Sequence, residues 1–359
     1  MGNVSGFFLL LILITGFPSV SSQETQVEQK VVLFSSDSLG TKGCYRIPAL
    51  CVAPNGELLA VADERIPDCG DLRTNRNINL VMRRSVDGGE NWGPIERIID
   101  FPEGQSASDA SLITDRINGE ILLLYNYMDL DSAPGIYRFH QLNSKDNGKT
   151  WSKPEDITAQ IIKTEWENDF MFITSGGGIQ THSGKLLHCL VNLQRGVFVI
   201  ASDDHGKSWY LIETPIHPAD ESKIAELDNG SWMINARVNN AGYRYVYRSF
   251  DQGLSWAGGP DSTLPDPGCN AVFIRQDISL NGKKESVLLL SNPDHTRDRV
   301  NLTLRISSDN GNTWEQVQLI HPGSAAYSAL EVIDCKHVGV LYEADEYKTM
   351  LFTRIRIRN

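Results

Sequence analysis

Short apolar runs, each followed by a polar, turn-forming phrase, set the rhythm of this chain. Ile78-Asn-Leu-Val-Met82, Ile136-Tyr-Arg-Phe139, Val197-Phe-Val-Ile200, Tyr245-Val-Tyr247 and Leu302-Thr-Leu304 are rich in β-branched and aromatic residues and read as strands. After each comes the same eight-residue phrase, Ser-x-Asp-x-Gly-x-x-Trp, beginning at Ser85, Ser144, Ser202, Ser249 and Ser307. The copies recur at intervals of 47 to 59 residues, and five of the seven tryptophans lie inside them. Such placement is a repeat, not an accident of composition.

The phrase has a physical reading. Ser and Asp side chains can bond nearby backbone N–H groups and fix a turn. Gly permits a positive φ where the chain reverses, and Trp offers a large apolar surface that pins the turn onto a neighbouring strand. Each copy is therefore expected as a hairpin turn after a strand. A period near 50 residues is that of propeller blades, each a four-stranded sheet. At about 55 residues per blade, residues 31–359 make six. The expected fold is all-β, a six-bladed β-propeller with five copies of the turn. The sixth blade would join Val31-Val-Leu-Phe34 to Met350-Leu-Phe-Thr-Arg-Ile355 and so close the ring without exposed edges.

Composition adds limits. With 41% hydrophobic and 22% charged residues in 359, the chain is ordinary for a globular protein, and a net charge of −12 argues against nucleic acid as a partner. Residues 1–22 carry no charge; an apolar run at 7–14 and small residues at Val20-Ser-Ser22 read as a secretory signal. Residues 23–359 are then a single domain, secreted or lumenal, either extracellular or lysosomal, with no other stretch fit to span a membrane. Asn229-Gly-Ser and Asn301-Leu-Thr are glycosylation acceptor motifs. The six cysteines (44, 51, 69, 189, 269 and 335) allow up to three disulfides. A Cys44–Cys69 bridge and a set of small buried thiols are both open. No Cys-x-x-Cys or His-x-x-x-His spacing suggests a metal, and no cofactor is expected.

The chemistry-bearing stretches stand in a particular order. Tyr45-Arg46-Ile-Pro48 opens a strand about 40 residues before the first repeat; alone, its arginine would be a surface charge. Asp63-Glu-Arg-Ile-Pro-Asp68-Cys-Gly-Asp71 is an acid-rich loop after the strand Leu58-Leu-Ala-Val-Ala62. Ser106-Ala-Ser-Asp109 precedes a strand pair, and turn duty would also explain its aspartate. Thr174-Ser-Gly-Gly-Gly178-Ile-Gln180 lacks the Gly-Lys-Ser/Thr of a phosphate loop and reads as close backbone packing. Glu221-Ser-Lys-Ile-Ala-Glu226-Leu leads through a turn at 228–230 to Asn235-Ala-Arg237. Then come Ser291-Asn-Pro with Arg297-Asp-Arg299-Val-Asn-Leu-Thr, Gly323-Ser-Ala-Ala-Tyr327-Ser, and Val340-Leu-Tyr-Glu343.

Together with the repeat, these stretches resemble the sialidase superfamily, whose repeat is the Asp-box. The resemblance covers residues 31 to 359. It implies that Arg46, Arg237 and Arg299 grip a substrate carboxylate, with Arg299 preferred over Arg297. It implies Asp71 as acid/base, with Asp68 the competitor, and Asp109 as a contact to a ring hydroxyl. Tyr327 would be the nucleophile, Glu221 rather than Glu226 its base, and Glu343 the orienting partner of Arg46.

These residue types suit one substrate. The anomeric carbon of sialic acid bears a carboxylate, which planar guanidiniums meet with paired hydrogen bonds. A carboxylate nucleophile would be repelled there, whereas a neutral phenol is not; sialidases are the tyrosine exception among retaining glycosidases. With an ordinary pKa near 10, the phenol needs a base. The expectation is an exo-α-sialidase acting on sialylated glycans with retention through a tyrosyl intermediate. A trans-sialidase and a non-catalytic sialic-acid-binding propeller are the alternatives; oligomeric state stays open.

Overall fold

The computed structural model describes residues 25–280 and 282–357. The signal segment expected at 1–22 lies outside the described residues. Nearly all regular structure is strand; the one α-helix among the described residues, Thr158–Ile161, has four residues. No helix of the described residues is long and apolar enough to cross a membrane.

The sheets form a propeller-like ring. Cys44–Val52, Leu58–Arg65, Ile78–Ser85 and Glu96–Ile99 make one four-stranded antiparallel sheet in sequence order. Ser222–Glu226, Trp232–Ala236, Tyr243–Ser249 and Ala257–Pro265 make another. Two five-stranded sheets lie between them in the chain, built on Gln105–Asp115 and on Leu186–Asn192. The first strands of successive sheets touch one another, and Cys44–Val52 closes the ring against Glu315–Asp334. The core is distributed between neighbouring sheets: Leu59, Val61 and Leu80 of the first pack with Leu112, Leu123 and Tyr125 of the next.

The expectation of six separate blades needs correction. The hydrogen bonds resolve five sheets, four of four or five strands and one of seven. The reason is the strand Glu315–Asp334, which runs 20 residues without a turn. Its first half pairs with Val300–Ser307 and its second half with His337–Ala344, so two four-stranded units share one strand. The first and last described strands pair as the sequence suggests: Thr25–Ser35 pairs with Thr349–Ile357, matching Val31 with Phe352 and Phe34 with Met350.

The five repeated phrases fold alike, each between the last two strands of a four-strand run. In every copy the Ser Oγ donates to the Asp carboxylate at 2.8–2.9 Å and accepts the Gly N–H at 2.7–2.8 Å. The Asp also accepts the N–H four residues on, at 2.8–2.9 Å. Glycine is required here: Gly89 has φ +92°, and a Cβ on it would lie 2.4 Å from Phe352. Trp92 packs edge-on against that same Phe352 ring at 5.0 Å.

The strands that face one end of the ring are irregular. Pairing slips between Arg46 and Ala49, between Ser108 and Ser111, between Val300 and Leu302, and between Ala325 and Ser328. Ile47, Asp109 and Asn301 have φ of 58°, 61° and 60° at three of these slips. Bulges re-aim side chains, and such backbone costs about 1–3 kcal/mol per residue. These four slips adjoin Arg46, Asp109, Arg299 and Tyr327.

Candidate active site

One cavity of about 400 Å³ opens at that end. Arg46, Asp71, Asp109, Glu221, Arg237, Arg299 and Tyr327 all line it, although they come from positions 281 residues apart at the extremes, 46 and 327. All but Asp71 sit at a bulge or next to a strand end; Asp71 lies in the loop between Leu58–Arg65 and Ile78–Ser85. Glu343, buried behind the cavity, completes the group of eight residues singled out in the sequence.

Glu343 joins two of these bulges. Its carboxylate accepts Arg46 Nε at 2.6 Å and the N–H groups of Ile47 at 2.9 Å and Tyr327 at 3.2 Å. Burial opposes the charge on Arg46, but Glu343 outweighs it and holds the guanidinium pKa above its ordinary value. Arg237 is paired in the same way with Glu221, which likewise outweighs burial. Arg299 gives one hydrogen bond to Tyr347 Oη at 3.1 Å and one to the Gly268 carbonyl at 3.0 Å.

Tyr327 lies between the three guanidiniums. Its hydroxyl donates to Glu221 Oε2 at 2.7 Å and accepts from Arg237 Nη1 at 3.0 Å. The guanidinium carbons of Arg46 and Arg299 stand 5.8 and 5.3 Å from its ring centre. Burial pushes the phenol pKa well up, the Glu221 charge adds to this, and Arg237 and Arg299 oppose it. The hydroxyl is thus neutral until a base removes its proton, and the hydrogen-bonded carboxylate is in reach to do so.

The opposite wall carries the aspartates. Asp71 is 82% exposed and holds one ion pair, to Arg65 at 3.1 Å. Asp109 accepts Asn126 Nδ2 at 3.0 Å, and its N–H donates to Asp63 at 3.1 Å. Burial raises the Asp109 pKa well above the carboxylate range, helped by the charges of Asp63 and Asp71. Asp63, also fully buried, is pushed up to about 6 by burial against Arg65 and Ser108. Leu72, Tyr137, Phe170, Phe172 and Leu193 make the remaining wall apolar.

The residues weighed as competitors lie elsewhere. Asp68 accepts the Gly70 N–H at 2.8 Å and lines a separate surface groove. Glu226 accepts two hydrogen bonds from His182. Arg297 does not line the cavity, whereas Arg299 does. Among the described residues no group of three or more His, Cys, Asp and Glu could hold a metal. The Gly176–Gly177 pair bonds in parallel to Ser111 and Leu112, and a Cβ on Gly178 would meet the Leu187 carbonyl at 2.6 Å, so this run is close backbone packing.

Two parts of the site were not read from the sequence. Tyr347 stacks 4.2 Å from the Arg46 guanidinium while its hydroxyl holds Arg299. It is delivered by three successive residues of positive φ, Asp345, Glu346 and Tyr347, a conformation with no local signature in Asp-Glu-Tyr. The buried support of Asp109 by Asp63 and Asn126 depends on cross-strand register, which is equally silent in the sequence.

A propeller-like ring whose inner strands bulge into a cavity lined by three arginines is the class that fold and site define. A family model described as a BNR repeat-like domain matches residues 73–338. The sialidase of Micromonospora viridifaciens is 35% identical over 331 residues, which cover 83% of this chain and 50% of that protein. The sialidase of Bacteroides fragilis is 30% identical over 344 residues, covering 88% of this chain and 62% of that one. Among solved structures, the Hadza microbial sialidase Hz136 superposes with a TM-score of 0.81 at 27% identity, over 92% of this chain and 68% of that one. This chain belongs to the BNR repeat-like family, in the group that contains these sialidases. It spans 50% and 62% of the two curated relatives' lengths.

Proposed function

We propose that the protein is an exo-α-sialidase, hydrolysing terminal α-linked sialic acids from glycoproteins, glycolipids or oligosaccharides with retention of configuration. The observation that carries this reading is the Tyr327–Glu221 hydrogen bond of 2.7 Å set among Arg46, Arg237 and Arg299 in one cavity with Asp71. The arginines grip the carboxylate on the anomeric carbon. Tyr327 Oη attacks that carbon as Glu221 takes its proton, and Asp71, as the acid, protonates the departing glycosidic oxygen. Water then attacks the tyrosyl intermediate, giving its proton to Asp71, while Tyr327 leaves and recovers its proton from Glu221. Asp109 contacts a ring hydroxyl, and Glu343 orients Arg46. No cofactor enters the cycle.

The rest of the reading is coherent with it. We read residues 23–359 as one catalytic domain, a propeller-like ring with five Asp-box turns. A disulfide between Cys44 and Cys69 supports an oxidising destination, secreted or lumenal.

An NMR time course with 3′-sialyllactose tests the reading. Release of α-sialic acid first is expected. Release of the β-anomer first would overturn double displacement. A sialylated acceptor in place of free sialic acid would make the protein a transferase, and binding without any product would make it a lectin.

A further inference from the structure

The cysteines of the Cys44–Cys69 disulfide stand two residues before Arg46 and two before Asp71. The bridge therefore ties the strand that presents one wall of the cavity to the loop that presents the other. Arg46 does not depend on it: Glu343 and Tyr347 hold its guanidinium, and its strand is paired on the sheet. Asp71 is in a different position. Its side chain is 82% exposed, and its carboxylate meets the Leu72 N–H at 3.0 Å and Arg65, the buried last residue of the strand before the loop, at 3.1 Å. Both contacts hold only while the backbone of the loop brings Asp71 to them.

That backbone is anchored on both sides of Asp71. After it, Leu72 is buried in the core, Asn75 accepts from Ser106 Oγ at 3.0 Å, and Arg76 accepts from the Gly104 N–H at 2.8 Å. Before it, the bonds of Gly70 and Asp68 run to Arg65, Asn75 and each other, all within or at the root of the loop. Its ties to the strand side there are a single bridge, Lys42 to Asp68, and the disulfide.

We infer that Cys44 and Cys69 are positioning residues for the acid/base step, holding Asp71 at a set distance from the arginine wall. This rests on the assignment of Asp71 as the acid. A bridge that served stability alone would, on removal, lower the melting temperature and leave the two halves of the reaction in proportion. A positioning bridge separates them, because general acid catalysis matters for a poor leaving group and little for a good one.

The test is the Cys44→Ser/Cys69→Ser double variant of the full chain, with a 4-nitrophenyl sialoside and 3′-sialyllactose. The expected result is a kcat/KM on sialyllactose lowered by about 10-fold to 10²-fold, at the lower end of what proton transfer contributes, with kcat/KM on the aryl sialoside, which reads only the first step, nearly unaffected. An equal loss on both, or no loss, overturns the inference. Wild-type protein inert on both substrates instead overturns the sialidase reading. Hydrogen exchange then still decides whether the bridge holds the loop: the amides of Thr74 and Asn75, which bond to the Asp71 carbonyl at 2.9 Å, should lose protection in the double variant while 49–52 keep theirs. Unchanged exchange at 74 and 75 sinks the inference whatever the activity.

Discussion

Tyr327 and Glu221 lie 106 residues apart in the chain and share one hydrogen bond of 2.7 Å, phenol to carboxylate, at the base of a cavity. Burial makes the phenolate costly, the Glu221 charge makes it costlier, and yet that same charge is the group able to receive the proton. Arg237 touches both partners and offsets part of the repulsion.

Tyr327→Phe removes the proposed nucleophile and leaves its ring between Arg46 and Arg299. Turnover of sialyllactose should fall by about 10²-fold or more, the least that loss of the proton-transfer pair should cost, with the melting temperature nearly unchanged. Stopped assays beside a thermal melt read both. Wild-type turnover in this variant would remove Tyr327 from the chemistry.

Glu343→Ala leaves Arg46 buried without its carboxylate and frees two backbone N–H groups. Unfolding in urea should show a loss of about 3–5 kcal/mol, the range for a broken buried pair. Glu343→Gln keeps the shape and should lose less. A loss under about 1 kcal/mol for the alanine variant, as for a surface pair, would mean that Arg46 finds another partner.

Tyr347→Phe keeps the ring against Arg46 and deletes only the hydroxyl bonded to Arg299. KM should rise by about tenfold, near the low end for a hydrogen bond to a charged group, while kcat changes little. A fall in kcat with KM unchanged would place Tyr347 in the chemical step instead of in binding.

Asp63 gives a stability signature against pH. Burial raises its folded pKa to about 6, above the ordinary aspartate value of about 3.9, so the folded state holds a proton that the unfolded state releases. The stability it contributes is full below about pH 4 and is lost as pH rises through about 6. Between pH 7 and pH 5, wild type should gain on the order of 1–2 kcal/mol relative to Asp63→Asn. Chemical unfolding at the two pH values reads this, and a relative loss on acidification would reverse the sign.

Ser249→Ala tests the repeated turn away from the cavity. It strands the buried Gly253 N–H, which bonds to Ser249 Oγ at 2.7 Å. The cost should be about 1–3 kcal/mol in urea unfolding, with kcat/KM on sialyllactose unchanged. Lost activity at full stability would mean that this turn communicates with the site.

Much of this protein was written locally. The Ser-x-Asp-x-Gly-x-x-Trp phrase carries its own hydrogen bonds, so each copy specifies a turn from eight residues, and five copies announce a ring of small sheets. The pairing of 31–34 with 350–355 followed from the need to close that ring. The kinds and order of Arg46, Asp71, Asp109, Glu221, Arg237, Arg299, Tyr327 and Glu343 were legible through a family resemblance.

What the tertiary structure alone decided is how those side chains point. Asp109 and Tyr327 enter the cavity because their strands slip register there, and a slip depends on both partner strands at once. Tyr347 arrives through a left-handed turn that its own residues do not favour. The seven-stranded sheet arises because Glu315–Asp334 does not turn where a blade would end. Cysteine spacing left the Cys44–Cys69 bridge as one pairing among several. Turns are made by neighbours in sequence, which a sequence displays. Register, burial and cross-links are made by neighbours in space, and those exist only once the ring has closed.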